Sequence, residues 1–265
     1  MSYEVGKPGD MYTPELWQMV CCRYYTVGRF VAGKRVLEVG CGTGRGLGYL
    51  SSRAREVVGG DLSEDNLSYA REHYGDRVKL LLLDARCIPF RDNSFDVILS
   101  MEVIQYLPDL EGFLSESRRV LNEEGVLIFC LPNPDIPGFY PSAESRRHYS
   151  VPELAALCAG HGFTAEFFGA FPVMGRPFWA GLRSFMIVYT GRILNKLPGG
   201  KRIREFLGKI FLDRNIVGKA ELEDSDIDAA ACVLTSLSAD SPDRRHKILY
   251  IIARLLPGDQ TDENR

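Results

Sequence analysis

From residue 35 onward the chain alternates short apolar runs with stretches of helical periodicity. Leu80-Leu81-Leu82-Leu83 and Val97-Ile98-Leu99 are apolar at every position, the pattern of strands covered on both faces. Strands are predicted at 35–40, 56–61, 78–83, 95–101 and 125–131, with helices between them at 44–53, 63–74 and 110–121. Such alternation predicts an α/β fold, a doubly wound parallel sheet with right-handed crossovers. Ahead of it a helix is predicted over 13–31, where Thr13 can cap and Pro14 suits the first helical position.

Past the fifth strand the pattern changes. A segment rich in Pro, Asn and Gly (132–149) leads to a helix with a capping box, Ser150 and Glu153, that ends near His161-Gly162. A strand at 163–171 and a last strand at 247–255 follow, separated by an insertion. The chain thus divides into an N-terminal helical part (1–32), a core (33–171), a helical insertion (172–245), the last strand (246–256) and a polar tail (257–265). Within 172–219, ten Lys or Arg against two acids leave a local charge of +8. Ile203, Phe206, Leu207, Ile210 and Phe211 fall at helical spacing there, so one face is apolar. That helix is read either as a cap packed on the protein or as a peripheral membrane contact through 200–212, touching anionic lipid.

Composition narrows the class. Of 265 residues 45% are hydrophobic and 25% charged, the mix of an ordinary globular protein. A net charge of −3 argues against nucleic-acid binding, which needs a basic footprint. No run approaches the ~20 apolar residues of a membrane span. Met1 to Lys7 carries no basic-then-apolar leader. Seven cysteines, at 21, 22, 41, 87, 130, 158 and 232, are odd in number and scattered; they are read as reduced thiols, with Cys21-Cys22 as packing and no zinc spacing. The expected location is cytoplasmic, with the inner membrane surface as the variant the basic helix would allow.

The first strand and its turn read Val36-Leu37-Glu38-Val39-Gly40-Cys41-Gly42-Thr43-Gly44. Glycines at 40, 42 and 44 let the backbone turn sharply and approach a ligand, and Thr43 and Gly44 are expected to open a helix whose free N–H groups face it. Asp61 ends the second strand, where an acid can accept both hydroxyls of a ribose. Asp84 ends the third and can take an exocyclic amine of adenine. Glu38, Asp61 and Asp84 therefore line the crevice where such sheets bind ligands.

With these pieces the chain resembles a class I S-adenosylmethionine-dependent methyltransferase of the small-molecule type. Glu38 to Gly44, Gly60-Asp61-Leu62-Ser63, Asp84 to Phe90, Asn93 to Ile98 and Arg118-Arg119-Val120-Leu121 carry the resemblance, over roughly 30–171. It implies a seven-stranded, mostly parallel sheet whose antiparallel last strand lies beside the fifth and forms a hairpin with 163–171. It also implies S-adenosylmethionine as cofactor, held by Glu38, Gly40, Cys41, Gly42, Thr43 and Gly44 at the methionine part and Asp61 at the ribose. Asp84, Leu62 and Ala85 would serve the adenine, and Met101 and Glu102 would lie beneath the sulfonium. Trp17, Arg23, Tyr24 and Tyr25 of the first helix are read from the sequence either as a lid over the cofactor or, for Trp17 and Tyr24, as anchors in the core.

Competing chemistries fit less well. A nicotinamide enzyme spaces its glycines G-x-G-x-x-G, not as Gly40, Gly42 and Gly44 stand. Leu131-Pro132-Asn133-Pro134 echoes the amino-methylase signature but follows the wrong strand. Glu102 and Glu111 resemble a guanidinium-clamping pair in spacing only, and Ser100 to Val103 supplies too few ligands for a metal, so none is expected. His148 and Glu102 are the candidate catalytic residues, His148 as general base for a hydroxyl acceptor. Related envelope-sugar methylases carry such a His a few residues earlier, where this chain has Ser145. Arg146 and Arg147 can grip an acceptor phosphate or carboxylate. The expected reaction is methyl transfer to a small-molecule or lipid-linked saccharide acceptor, with a non-catalytic S-adenosylmethionine-binding sensor or scaffold as the alternative.

Overall fold

The computed structural model describes residues 7–173 and 216–256. After a two-residue strand, β1 (Met11–Tyr12), comes α1 (Pro14–Val31), capped by Thr13 Oγ1 accepting from Leu16 N–H. The sheet then alternates with helices: β2 (Arg35–Val39), α2 (Leu47–Ser51), β3 (Glu56–Asp61), α3 (Glu64–Tyr74), β4 (Lys79–Leu82), β5 (Phe95–Met101), α4 (Leu110–Val120) and β6 (Leu121–Pro132). The second half holds α5 (Val151–Gly160), β7 (Phe163–Pro172), β8 (Ile216–Val217), β9 (Thr235–Leu237) and β10 (His246–Leu255).

Eight strands form the main sheet in the order β4-β3-β2-β5-β6-β10-β7-β9. The five on the β4 side run parallel; β10 is antiparallel to both β6 and β7. All seven expected strands are present in that arrangement. The eighth, β9, is three residues with no apolar run to betray it, paired to the outer edge of β7. Successive side chains of the central strands feed opposite layers. Val36, Leu99, Ile128 and Tyr250 pack under α1, α2 and α3. Leu37, Ile98, Leu127 and Ile251 pack under α4 and α5. That division is why these strands are apolar at every position.

Four expectations need correction. The run at Leu80–Leu83 does not make a strand covered on both faces: β4 is the sheet edge, and Leu82 is 55% exposed. The helix after the glycine turn begins at Leu47, not near Gly44, because Gly40, Gly42 and Gly44 all take left-handed φ and keep the chain in a turn. The cysteines are not all reduced: Cys22 of α1 is bonded to Cys232. Closing a loop across 210 residues stabilises the fold by roughly 5 kcal/mol in the chain-entropy account. Finally, the described part of the insertion, 216–245, is short strands and single turns without an α-helix. The stripe from Ile203 to Phe211 and the contact at 200–212 lie outside the described residues. Lys219, the one basic residue of that stretch inside them, pairs with Glu223 and Asp226. No helix among the described residues is long and apolar enough to cross a membrane.

Asn133 is a clasp, which accounts for its place after β6. It is fully buried, and its Nδ2 reaches Asp243 O (2.8 Å), Asp243 Oδ2 (3.1 Å) and His246 O (2.8 Å), while its Oδ1 accepts from Asp135 N–H (3.0 Å). The exit of β6 is thereby locked to the entry of β10. Asn133→Ala leaves these buried groups unpaired and is expected to lower stability by about 2 kcal/mol in reversible urea melts; an unchanged midpoint would mean that the clasp is redundant.

Candidate functional site

β2 delivers the glycine turn to the carboxyl end of the sheet. Gly40 sits at φ +75°, and a Cβ there would lie 2.3 Å from Val103 Cγ2. Gly44, at φ +82°, faces Tyr74 with 2.9 Å of room. No other residue suits either position. The turn is tied to β3: Gly40 and Cys41 both donate to Gly60 O (2.7 and 3.0 Å), and Gly42 N–H donates to Asp61 Oδ2 (2.8 Å). Asp61 Oδ1 accepts from Ser63 N–H (2.8 Å) and Asn66 Nδ2 (3.4 Å). One carboxylate thus joins the glycine turn to the first turn of α3. From the far end of α3 the Tyr74 hydroxyl donates to Gly44 O (2.8 Å) and accepts from Gly48 N–H (3.0 Å).

α1 closes the opposite side with two adjacent residues. The Tyr24 hydroxyl donates to Glu38 Oε1 (2.8 Å), and Arg23 Nη2 lies 2.8 Å from Glu102 Oε1. All four side chains are buried. Burial pushes the Glu38 carboxyl up to about 8, against the opposing pull of the Tyr24 hydrogen bond. Burial likewise raises Glu102, opposed by Arg23. Glu102 takes a left-handed φ of +60° directly after β5 and donates its N–H to Cys130 O (2.9 Å). Met101 is buried one residue earlier, its sulfur 3.6 Å from Cys130 Sγ. Of the expected lid residues, Arg23 and Tyr24 reach the site, Trp17 is in the core, and Tyr25 faces solvent.

The ends of β3 and β4 are less uniform. Leu62, beside Asp61, is 70% exposed, an apolar side chain held at the surface where a flat ring can cover it. Ala85 is buried. Asp84 is gripped by Arg86, whose Nε meets Oδ1 at 3.0 Å and Nη2 meets Oδ2 at 2.7 Å; this holds the carboxyl below its ordinary range. An amine there shares the carboxylate with a guanidinium.

His148 arrives from the other side. Arg146 N–H and Arg147 N–H both donate to Gln105 O (2.8 and 3.3 Å), pinning the loop to the turn that follows Glu102. The ring is half-buried, edge-on to Phe139 at 4.9 Å, and neither ring nitrogen has a hydrogen-bond partner. Burial lowers its pKa, which favours the neutral imidazole. Arg147 lies over the Tyr149 ring and 3.6 Å from Glu153. The other histidines are engaged in structure: His73 with Glu221, His161 with Leu157 O, His246 with Asp243. Glu111 is exposed on α4 while Glu102 is buried with Arg23, so the two form no clamp.

The structure brings Glu38, Gly40, Cys41, Gly42, Thr43, Gly44, Asp61 and Leu62 together on the ends of β2 and β3 and sets Met101 and Glu102 at the end of β5, while His148 is tied to that end only through its loop, by Arg146 and Arg147 to Gln105 O. Tyr74, Asn66 and Gln105 were not foreseen. Tyr74 had a signal, since it continues the Leu67–Ala70 stripe at helical spacing; Gln105 acts through its backbone and had none. A test of whether S-adenosylmethionine suits these residues lies in Glu38 Oε2 and Thr43 Oγ1, both buried at the glycine turn without a partner. Buried polar atoms in native folds find one, and a ligand carrying an ammonium and a carboxylate supplies both a donor and an acceptor. The residues fit the group.

A doubly wound sheet with a glycine turn clipped to a carboxylate defines a nucleotide-type binding site, and comparison with known proteins narrows it. Residues 37–129 match the family described as methyltransferase domain. A probable S-adenosylmethionine-dependent methyltransferase of Mycolicibacterium smegmatis is 33% identical over 149 residues, 54% of this chain and 57% of that protein. A fatty-acid O-methyltransferase of the same organism is 38% identical over 112 residues, 40% and 41% of the two chains. The chain spans about half the length of these curated relatives. A crystal structure of a methyltransferase from Archaeoglobus fulgidus shares the fold, with a TM-score of 0.55 over 91% of this chain and 94% of that one at 18% identity. Over residues 37–129 the chain is similar to a methyltransferase domain, and the relative with the longer match is named as S-adenosylmethionine-dependent.

Glu38 makes stability depend on pH in a defined direction. Its folded pKa, about 8, lies above the ordinary 4.5, so its stabilising contribution is full below 4.5 and is lost as pH rises through 8. Melting temperatures of the wild type are expected to fall relative to those of Glu38→Gln between pH 5 and 9; parallel curves would contradict the assignment.

Proposed function

We propose that the protein transfers a methyl group from S-adenosylmethionine to a small-molecule or lipid-linked saccharide acceptor, at a hydroxyl. The observation that carries this reading is the Asp61 carboxylate, fixed by Gly42 N–H and Ser63 N–H beside the glycine turn. A carboxylate offers about four acceptor sites; Gly42, Ser63 and the long Asn66 contact take three, so one is left for a ribose hydroxyl and the second hydroxyl takes the place of Asn66. Gly40, Cys41, Gly42, Thr43 and Gly44 with Glu38 hold the methionine part, Leu62, Asp84 and Ala85 the adenine, and Met101 the floor. The fatty-acid O-methyltransferase relative, which acts at oxygen by its name, supports an oxygen acceptor.

When bound, the cofactor supplies an electrophilic methyl on a sulfonium whose departure needs no proton. The protein's share is to align the acceptor, exclude water and take the acceptor's proton. His148 is the base, because burial favours its neutral imidazole and neither nitrogen has a hydrogen-bond partner. Glu102, occupied by Arg23, holds α1 in place over the site.

Asp61→Asn keeps the shape of the strand end but loses acceptor strength. It is expected to weaken S-adenosylhomocysteine binding at least tenfold in calorimetry, from charge-assisted bonds worth ~1.5–3 kcal/mol each; equal affinity would remove the reading. Incubation with methyl-labelled cofactor and fractionated polar and lipid extracts should label a product, whereas binding without turnover would favour a sensor.

For His148→Gln a fall in kcat of about 10²–10⁴ is expected with S-adenosylhomocysteine affinity unchanged. In the wild type, kcat/KM should hold as pH falls past the ordinary histidine value of 6.5 and decline only below it. An equally active variant would leave alignment to account for the rate.

A further inference from the structure

Three consecutive residues of α1 fasten the helix to three parts of the molecule. Tyr24 reaches Glu38, Arg23 reaches Glu102, and Cys22 is bonded to Cys232. Cys232 ends a strap, residues 218–232, that crosses α2 and α3. Arg45, the residue after Gly44, donates from Nε to Lys219 O (2.9 Å) and accepts Leu222 N–H (3.0 Å). Glu221 meets His73 (2.8 Å) and Arg77 (3.2 Å), and Asp224 pairs with Arg53. The strap therefore rests on the residues that leave the glycine turn, and its far end is joined to the helix that closes the turn from the other side.

Leu222 and Ile227 of the strap pack into the core shared with α1, and Gln18 meets Asp226 O and Asp228 N–H, each at 3.4 Å; Cys22–Cys232 is the covalent tie among the described residues. The bond is also reachable. Cys232 lines a cavity of about 580 Å³ together with Tyr25, Thr26, Arg29, Tyr49, Phe168 and Leu234, whereas Cys22 is buried. Cys21 beside it is no rival for exchange, because burial pushes its thiol up to about 12.

We propose that Cys22–Cys232 is a reversible redox fastener of the strap, closed when oxidised and released by a dithiol that enters through the cavity, so that reduction weakens cofactor binding. The proposal rests on the cofactor reading above. In the step itself a thiolate of the dithiol attacks Cys232 Sγ, and the Cys22 sulfur departs and takes a proton. The second thiol of the dithiol then attacks its own mixed-disulfide sulfur and frees Cys232 as a thiol. Two electrons and two protons pass from the dithiol, which becomes a disulfide, to the protein.

The test measures S-adenosylhomocysteine affinity by calorimetry on protein oxidised with glutathione disulfide and on protein reduced with dithiothreitol, with alkylation and mass spectrometry counting thiols in each. Reduction should expose two further thiols, raise Kd at least fivefold, and speed exchange of the Leu222 amide hydrogen. Cys22→Ser with Cys232→Ser should bind like reduced wild type and ignore dithiothreitol. A wild-type Kd that is the same in both states, with the two-thiol difference verified, overturns the proposal alone, as does failure of the pair to oxidise. Absence of binding in either state overturns the cofactor reading and this proposal with it.

Discussion

Two carboxylates stand at the carboxyl ends of β2 and β5, in positions that water does not reach, and α1 is the element that answers them. Glu38 needs a donor and finds the Tyr24 hydroxyl; Glu102 needs a cation and finds Arg23. Removing Arg23 leaves an uncompensated buried charge at Glu102, a cost of ~3–5 kcal/mol, and removing the Tyr24 hydroxyl leaves a buried oxygen of Glu38 unpaired, a cost of ~1–3 kcal/mol. Because Arg23 and Tyr24 are neighbours on one helix, satisfying both acids fixes where α1 lies. The wall of the cleft, the orientation of Cys22 and the course of the strap follow from that placement.

The other wall depends on Asp61. Strand β3 ends where its carboxylate can accept from Gly42 and Ser63 together, so the glycine turn and the start of α3 are set by one side chain. Tyr74 adds a second tie from α3 to Gly44 and Gly48. What remains at the turn are buried polar atoms of Glu38 and Thr43 that the protein does not itself satisfy. This arrangement, rigid backbone on one side and an acid on the other, suits the zwitterionic ligand with a ribose that we propose.

Much of this was legible in the chain. The apolar residues on both faces of Phe95–Met101 mark a strand covered on both sides, and the place of the antiparallel last strand came with the family resemblance. Asp61 and the three glycines announced themselves by standing where a strand ends. Other features depend on long-range partners that no local pattern encodes. The four leucines at 80–83 read as a core strand, yet β4 has a neighbour on one side only. Asp84, expected at an adenine amine, has both its oxygens taken by Arg86, two residues on. Cys22 and Cys232 are 210 residues apart, and only the path of the strap brings them together. Glu102 was read for its acidity alone, since its partner Arg23 lies in an element whose placement the sequence does not give.

The central claim is that the cofactor sits at the glycine turn, between Asp61 and the acids held by α1. A crystal structure of the protein with S-adenosylhomocysteine tests it most directly. The account predicts the ribose hydroxyls on Asp61, the amino-acid end at the glycine turn within hydrogen-bond reach of Glu38 or Thr43, and α1 in place above. Ligand density elsewhere on the molecule, with the glycine turn bare at saturating ligand, would contradict it.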